Sequence, residues 1–301
     1  MDRQIIEISQ DDFTLSLYRG FLHLENKDVK HDVALDNILS LILSAHNVLL
    51  SKNVVNALSE QGACIIFCGK DYLPTSITMP YVGHWLVAPR VRCQIEVSKP
   101  LHKQLWKSIV QHKILNQAII LNECIPSSSH ISRLQQLSKE TLSDDSTNTE
   151  GMAASIYFKA LFGLDFVRNR LSPDINMLLN YIYIVLRAVV ARAVAGAGLL
   201  PYIGIKHRSK TNTLPLIDDL MEPFRPLADR LVFDFVSNNE NNKQLELTPD
   251  IKRYLTQIVT VPMQTLKGKI PLNEAVYEFV NTLVLSFEEE KVLLRYPDII
   301  L

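Results

Sequence analysis

The chain has 301 residues, 47% of them hydrophobic, with 31 Lys and Arg against 32 Asp and Glu for a net charge of −1. That apolar content with so little net charge excludes a mainly disordered chain, and the length suits one large domain or two modest ones. A uniformly basic surface is excluded as well, so any grip on a polyanion must come from local patches. The first part, to about residue 85, reads as β. Gln4 to Ile8 and Thr14 to Tyr18 alternate apolar and polar residues, Arg19-Gly20 reads as a hairpin turn, and Phe21 to Leu24 as the returning strand. Ile38 to Leu43 is a short apolar run bounded by polar residues. A helix follows with both ends marked: Ser51 as its cap, Val54, Val55 and Leu58 on one face, and Gly62 where a left-handed residue closes it. Ala63 to Phe67 reads as a buried strand, ended by Gly69-Lys70-Asp71.

From about Lys99 the apolar period becomes helical and stays so to the end. The expected helices are Leu101 to Leu121, Ile131 to Leu137, Gly151 to Phe162, Pro173 to Ala195, Leu214 to Glu222, Pro226 to Val236, Pro249 to Val259 and Pro271 to Glu290. Ser172, Thr248 and Ile270 each precede a proline suited to a first helical turn, and the first two can also cap. Residues 86–98 read as the junction, since proline and mixed polarity interrupt both periods. The expectation is an α+β fold, with a small β-rich domain over 1–90 followed by a larger all-α domain over 91–301, and no internal repeat.

The one membrane-like stretch, Ile175 to Leu200, contains Asn176, Asn180, Arg187 and Arg192. Each arginine near a bilayer centre would cost roughly 3 kcal/mol, so a buried core helix is expected and no membrane association. The N-terminus, MDRQIIEISQDD, has acids where a secretory signal needs base and then an apolar run. Cys64, Cys68, Cys93 and Cys124 form no C-x-x-C pair and fit neither a disulfide framework nor a zinc site, which points to a reducing cytoplasm.

Two charge blocks stand out. Arg90, Arg92, Lys99, Lys103, Lys107 and Lys113 are opposed only by Glu96, and Lys99, Lys103 and Lys107 recur every four residues on one helix face. Such a stripe is a solvated surface or, clustered on one element, a footprint for nucleic acid. Glu140, Asp144, Asp145 and Glu150 form an acidic, Ser/Thr-rich linker before a helix, which alone reads as a solvated loop with a cap.

Three polar positions are candidates for chemistry. Glu150 opens a helix whose next residues, GMAASIYFKALFG, are almost wholly apolar; alone, it is an acid favoured by the helix dipole. His207 follows GLLPYIGIK in a loop with Lys206, Arg208 and Lys210, and alone it is an exposed histidine. In LPLIDDLMEPFRPLADR, Asp219 and Glu222 share a face while Asp218 points elsewhere; alone, the pair is a solvated edge or a partner for Arg225. Together the three supply carboxylate and imidazole ligands without thiols, which suits Mg²⁺ or Mn²⁺ better than structural zinc. A divalent ion beside basic residues fits phosphodiester chemistry, since it polarises a phosphoryl oxygen while Lys and Arg hold neighbouring phosphates.

The segments EGMAASIYFKALFG (150–163), INMLLNYIYIVLRA (175–188), GLLPYIGIKHRSKTNTLPLIDDLMEPFRPLADR (198–230) and KGKIPL (267–272) resemble, in order and spacing, successive motifs of the spacer-acquisition integrase of CRISPR systems, the "Cas one" family. RVRCQIEVSKPLHKQLWKSIVQHKILNQA resembles in particular the branch that accompanies RNA-guided type II effectors. The first and third segments are the most specific, because each carries a ligand position. The resemblance implies an N-terminal dimerisation domain and a helical catalytic domain. It places Glu150, His207 and Glu222 on the three metal-ligand positions and Asp219 on a supporting one, with Glu as third ligand where some branches have Asp. The implied activity is a metal-dependent DNA endonuclease and integrase: the 3′-hydroxyl of a short DNA duplex attacks a phosphodiester at the border of a CRISPR repeat, by transesterification, and inserts the duplex as a new spacer. The implied setting is a homodimer bridged by a "Cas two" adaptor dimer in a prokaryotic cytoplasm; contact with the type II effector is left open. From charge, Lys206, Arg208 and Lys210 are assigned to phosphates beside the scissile bond, and Arg90, Arg92, Lys99, Lys103 and Lys107 to the duplex. Two other readings stand beside this one: a metal-dependent repair nuclease on branched or single-stranded DNA, and a non-catalytic DNA-binding subunit.

Overall fold

The structure, a computed structural model, describes residues 3–70, 74–78, 86–169, 171–207, 212–239 and 246–300. The N-terminal unit runs β1 (Gln4–Ile8), β2 (Phe13–Tyr18), β3 (Phe21–Glu25), β4 (Lys30–Ala34), β5 (Ile38–Leu43), β6 (Val48–Leu50), α1 (Lys52–Glu60), β7 (Cys64–Cys68) and β8 (Pro74–Thr78). Its strands form two four-stranded sheets, ordered β1-β5-β7-β8 and β4-β3-β2-β6. In the first sheet β1, β5 and β7 pair in parallel and β8 closes it antiparallel. In the second, β2, β3 and β4 form an antiparallel meander, with β6 parallel to β2. Arg19 and Gly20, both at positive φ, make the turn between β2 and β3.

Strand β5 explains why its sequence shows no alternation. A parallel strand covered on both faces needs apolar residues throughout. Ile38, Leu41 and Leu43 pack into the small core shared with the second sheet and α1, whereas Leu39 and Ile42 pack into the core of the helical unit. The first sheet is therefore a wall common to both units. Ser51 caps α1 by accepting from the Val54 amide (3.4 Å), and Gly62 follows the helix at φ +69°, a conformation costly for any residue with a Cβ.

The larger unit contains α2 (Val87–Glu96), α3 (Lys99–Cys124), α4 (His130–Glu140), α5 (Thr149–Phe162), α6 (Ile175–Gly196), α7 (Pro215–Met221), α8 (Arg225–Asn238), α9 (Pro249–Thr256), β9 (Pro262–Thr265), β10 (Gly268–Pro271), α10 (Leu272–Glu288) and β11 (Asp298–Ile299). Helix α3 runs through its middle and packs against α4, α5 and α8. Helix α6 is long and apolar enough to cross a membrane, yet most of it lies inside the fold. Its arginines are used there: Arg187 pairs with Asp218 at 2.9 Å, and Arg192 donates to the Gly62 carbonyl at 3.1 Å.

Three local expectations are corrected. The 86–98 junction is mostly helix α2, because Pro89 falls in the first turn, where a missing amide costs no intrahelical bond. The last third is not wholly helical: β10, β9 and β11 form a three-stranded sheet, with strands too short to print a period of two. Helix α6 starts at Ile175, capped by Asp174 through the Asn176 amide (2.8 Å) rather than by Ser172, and Ile270 lies in β10. Thr248 caps α9 as its position suggests.

Candidate active site

Three segments far apart in sequence meet on α3. Glu150 stands in the first turn of α5, and Asp145 caps that turn, its carboxylate accepting from the amides of Thr149 (2.8 Å) and Glu150 (3.2 Å). Asp144, Asp145 and Asn148 hold φ values of 63°, 48° and 54°, so the loop before Glu150 winds through the left-handed region. Glu222 begins a single 3-10 turn, Glu222–Phe224, between α7 and α8. Pro223 has no amide to continue the α-helical ladder, and its carbonyl accepts from Asn116 Nδ2 on α3 at 2.8 Å. The sequence thus breaks the helix at Glu222, and α3 anchors the break.

His207 lies in the loop between α6 and α7, and Asp219 holds that loop. The Asp219 side chain is 0% exposed. Its Oδ2 accepts from the amides of Ile205 (2.6 Å) and Lys206 (2.9 Å), and its Oδ1 accepts from the His207 amide (3.3 Å) and meets the ring Nδ1. Gly204 leaves no room for a Cβ, which would stand 2.8 Å from the His207 carbonyl and 2.9 Å from Asp219 Oδ2. Trp106 of α3 meets the His207 ring edge-on, with centroids 5.6 Å apart. With Nδ1 turned to Asp219, Nε2 is the nitrogen left for a ligand.

Glu150 and Glu222 share one buried cation. Lys113 Nζ lies 2.6 Å from Glu150 Oε1 and 2.5 Å from Glu222 Oε2, while Arg225 Nε donates to Glu222 Oε1 at 2.8 Å. The Arg225 guanidinium also stacks on the Tyr183 ring at 4.5 Å, and the Tyr183 hydroxyl donates to the buried Asp229. Burial alone would raise the Glu222 carboxyl, but Arg225 and Lys113 hold it well below the usual carboxylate range. Burial alone would lower Lys113, yet Glu222 and Glu150 carry it above the ordinary lysine value. The hydrogen bond that the His207 ring donates to Asp219 raises His207 above the ordinary imidazole value against the opposing effect of burial, and the charges of Asp219, Glu222 and Glu150 add to the rise.

Among the described residues no three carboxylate, imidazole or thiolate groups stand together at metal-ligand spacing. The donor set nevertheless suits a divalent ion in type and charge. Two carboxylates and an imidazole are oxygen and nitrogen ligands, and the space between Glu150 and Glu222 already receives a positive charge.

The basic residues singled out by the sequence divide. Arg92, Lys99 and Lys103 are exposed and Lys107 is half-buried. Arg90 is tied into the fold, donating to the Ala197 carbonyl at 2.9 Å and lying 3.7 Å from Glu288. Lys206 braces two loops, its ammonium bonded to the carbonyl (3.0 Å) and carboxylate (2.8 Å) of Asp144. Arg208 and Lys210 lie outside the described residues. Lys113, grouped by charge with the surface stripe, belongs instead to the site. Its signal was spacing: it falls six positions after Lys107, off the four-residue repeat, within the apolar stripe of Ile109, Val110 and Ile114.

Residues 6–257 match the family model described as CRISPR associated protein Cas1. The chain is 39% identical over 241 residues to the CRISPR-associated endonuclease Cas1 of Neisseria meningitidis serogroup C (strain 8013), spanning 80% of this chain and 78% of that one. Among solved structures, a casposase bound to integration product aligns with a TM-score of 0.80 at 17% identity, over 98% of this chain and 92% of that one. A Cas6-RT-Cas1–Cas2 complex aligns with a TM-score of 0.76 at 16% identity, over 97% of this chain and 35% of that one. At such identities the likeness establishes the fold. With the sequence match spanning most of its length, the chain belongs to the CRISPR-associated Cas1 family.

Proposed function

We propose that the protein is an integrase and DNA endonuclease of CRISPR adaptation, inserting short DNA duplexes as spacers at the CRISPR repeat. The observation that carries this reading is the meeting of Glu150, Glu222 and the Asp219-held His207 around α3, in a chain of the Cas1 family. The likeness to the Neisseria protein supports the type II-like branch. Strand joining exchanges one phosphodiester for another: the 3′-hydroxyl oxygen of the incoming duplex bonds to phosphorus, and the displaced repeat strand leaves on its own oxygen. No outside energy source is needed, so catalysis rests on positioning and charge neutralisation.

Glu150, His207 and Glu222 would hold Mg²⁺ or Mn²⁺. That ion, when bound, supplies Lewis acidity toward a phosphoryl oxygen and lowers the pKa of the attacking hydroxyl. The protein's own residues prepare the place. Asp219 fixes the ring of His207, Asp145 fixes the helix that presents Glu150, and Arg225 neutralises Glu222 from the side. The exposed Arg92, Lys99 and Lys103, with Lys107, offer a stripe for duplex phosphates. Partners on this reading are DNA, a second copy docked through the β-rich unit 1–90, and a Cas2 adaptor. The structural neighbours, a casposase bound to integration product and a complex containing Cas2, support the first and last. The expected compartment is a prokaryotic cytoplasm.

The test is a joining assay with a labelled short duplex, a repeat-bearing plasmid, Mn²⁺ or Mg²⁺ and the adaptor. Metal-dependent joining that Glu222→Ala and His207→Ala both abolish is expected. Cutting without joining would favour a hydrolytic nuclease, and binding without chemistry would overturn the proposal.

A further inference from the structure

The ammonium of Lys113 is buried at the centre of the site, away from the surface stripe with which its charge groups it. It bridges the two carboxylates assigned to the metal, at 2.6 Å from Glu150 and 2.5 Å from Glu222. Its side chain is only 11% exposed, and its backbone lies in the middle of the long helix α3. On its far side Glu222 is held by Arg225 at 2.8 Å. Two carboxylates, Glu150 and Glu222, therefore face two resident cations, Lys113 and Arg225, and their charges already balance.

Balance changes what a divalent ion meets. An ion drawn to the facing oxygens of Glu150 and Glu222 would share them with an ammonium, and like charges that close in a buried place repel with little screening. Arg225 has little freedom to leave, stacked as it is on Tyr183 and bonded to the other oxygen of Glu222. Lys113 carries its charge on a flexible four-carbon stem and so is the cation able to withdraw.

We propose that Lys113 is the resident counter-cation of the site: it holds Glu150 and Glu222 together in the metal-free protein, and a divalent ion binds by displacing its ammonium. This inference rests on the metal reading above. Lys113 is thus a positioning residue, acting through the carboxylates. It keeps two buried like charges paired before metal arrives, and it sets the metal affinity lower than the bare carboxylates would give.

The test measures metal binding without activity. Free Mn²⁺ is titrated by its paramagnetic resonance against the wild type, Lys113→Met, Lys113→Gln and Glu222→Gln. Removing the competitor is expected to tighten Mn²⁺ binding in the Met and Gln variants on the order of tenfold or more, while Glu222→Gln weakens it. A merely structural lysine would give the opposite, looser binding in Lys113→Met through a disordered site. Equal or weaker affinity in both lysine variants overturns the proposal but leaves the metal reading standing. Absence of Mn²⁺ binding in the wild type and every variant overturns both. Should the variants fail to fold, the wild type decides: the slowly exchanging ¹⁵N ammonium resonance of Lys113 is expected to shift or vanish as Mg²⁺ saturates the protein, and an unmoved resonance overturns the displacement.

Discussion

Asp219 and His207 are bound by two contacts to a single oxygen: Oδ1 of the buried aspartate takes both the backbone amide and the ring Nδ1 of the histidine. Asp219→Asn removes the orienting contact while keeping part of the structural one. Its amide oxygen can still accept from Ile205 and Lys206, but its NH₂, turned toward the ring, would donate to Nδ1 and force the imidazole proton onto Nε2. That nitrogen then has no lone pair for a metal. Joining should fall on the order of 10- to 100-fold, and stability by about 1 to 3 kcal/mol because the His207 amide then faces a donor, as measured by single-turnover joining beside thermal unfolding. Full activity in Asp219→Asn would show that the ring needs no orienting partner.

The loop ahead of Glu150 depends on a second aspartate. Asp145 satisfies the amides of Thr149 and Glu150 from four and five residues upstream, while Asn148 contributes no side-chain cap. Asp145→Ala should cost about 1 kcal/mol of stability, the usual worth of a lost cap, and should lower joining by more than that loss explains, because the first turn carries Glu150. Denaturant unfolding and joining on the same preparations check it. A stability loss with unchanged joining would mean that Glu150 is positioned by Lys113 alone.

A pH dependence follows from Asp229. Burial pushes this carboxyl up to about 7, against the hydrogen bond from Tyr183 and the charges of Arg225, Lys113 and Arg168, which pull the other way. A carboxyl whose folded pKa exceeds its unfolded one stabilises the fold fully at low pH. Between the unfolded value of 3.8 and the folded value of about 7 the unfolded chain releases the proton while the native one keeps it. The contribution is therefore lost as pH rises through that window and is constant above it. Asp229→Asn, which does not titrate, should show a flatter stability profile than the wild type between about pH 4 and 7, the two differing by a few kcal/mol, on the order of 1.4 per pKa unit. Urea unfolding at stepped pH measures it; parallel profiles would mean that Asp229 ionises normally.

The strands and helices of both units could be read from the sequence wherever a period ran long enough. Ser51, Thr248 and Gly62 marked their helix ends because a cap or a left-handed residue leaves a local signature. Strands β6, β9, β10 and β11 are too short to leave one, and β4 (KHDVA) and β8 (PTSIT) carry no apolar alternation, so pairing across the chain decides them. Glu150, His207, Glu222 and Asp219 stood out as polar positions with oxygen and nitrogen donors, which the family resemblance grouped into a ligand set and its support, whereas their convergence depends on α3, whose contributions Lys113, Trp106 and Asn116 look like an ordinary helix face in one dimension. Charge alone misplaced Lys113 with the surface stripe, because composition does not distinguish a solvated ammonium from one buried against two carboxylates.

The same distinction separates the remaining basic residues by what their removal should change. Lys103 is exposed on α3, so on the DNA-binding reading Lys103→Ala deletes about one phosphate contact and should reduce the slope of log K against log salt by about 0.9 with stability unchanged. Arg90 is the reverse case. Its guanidinium donates to the Ala197 carbonyl at the end of α6 and lies near Glu288 of α10, so Arg90→Ala leaves a buried carbonyl unpaired. That should cost about 1 to 3 kcal/mol and leave the salt slope as it was. Binding isotherms at stepped salt, read beside unfolding curves, put both variants to the same test. A reduced slope in Arg90→Ala would require the guanidinium to leave its carbonyl for a phosphate when DNA docks.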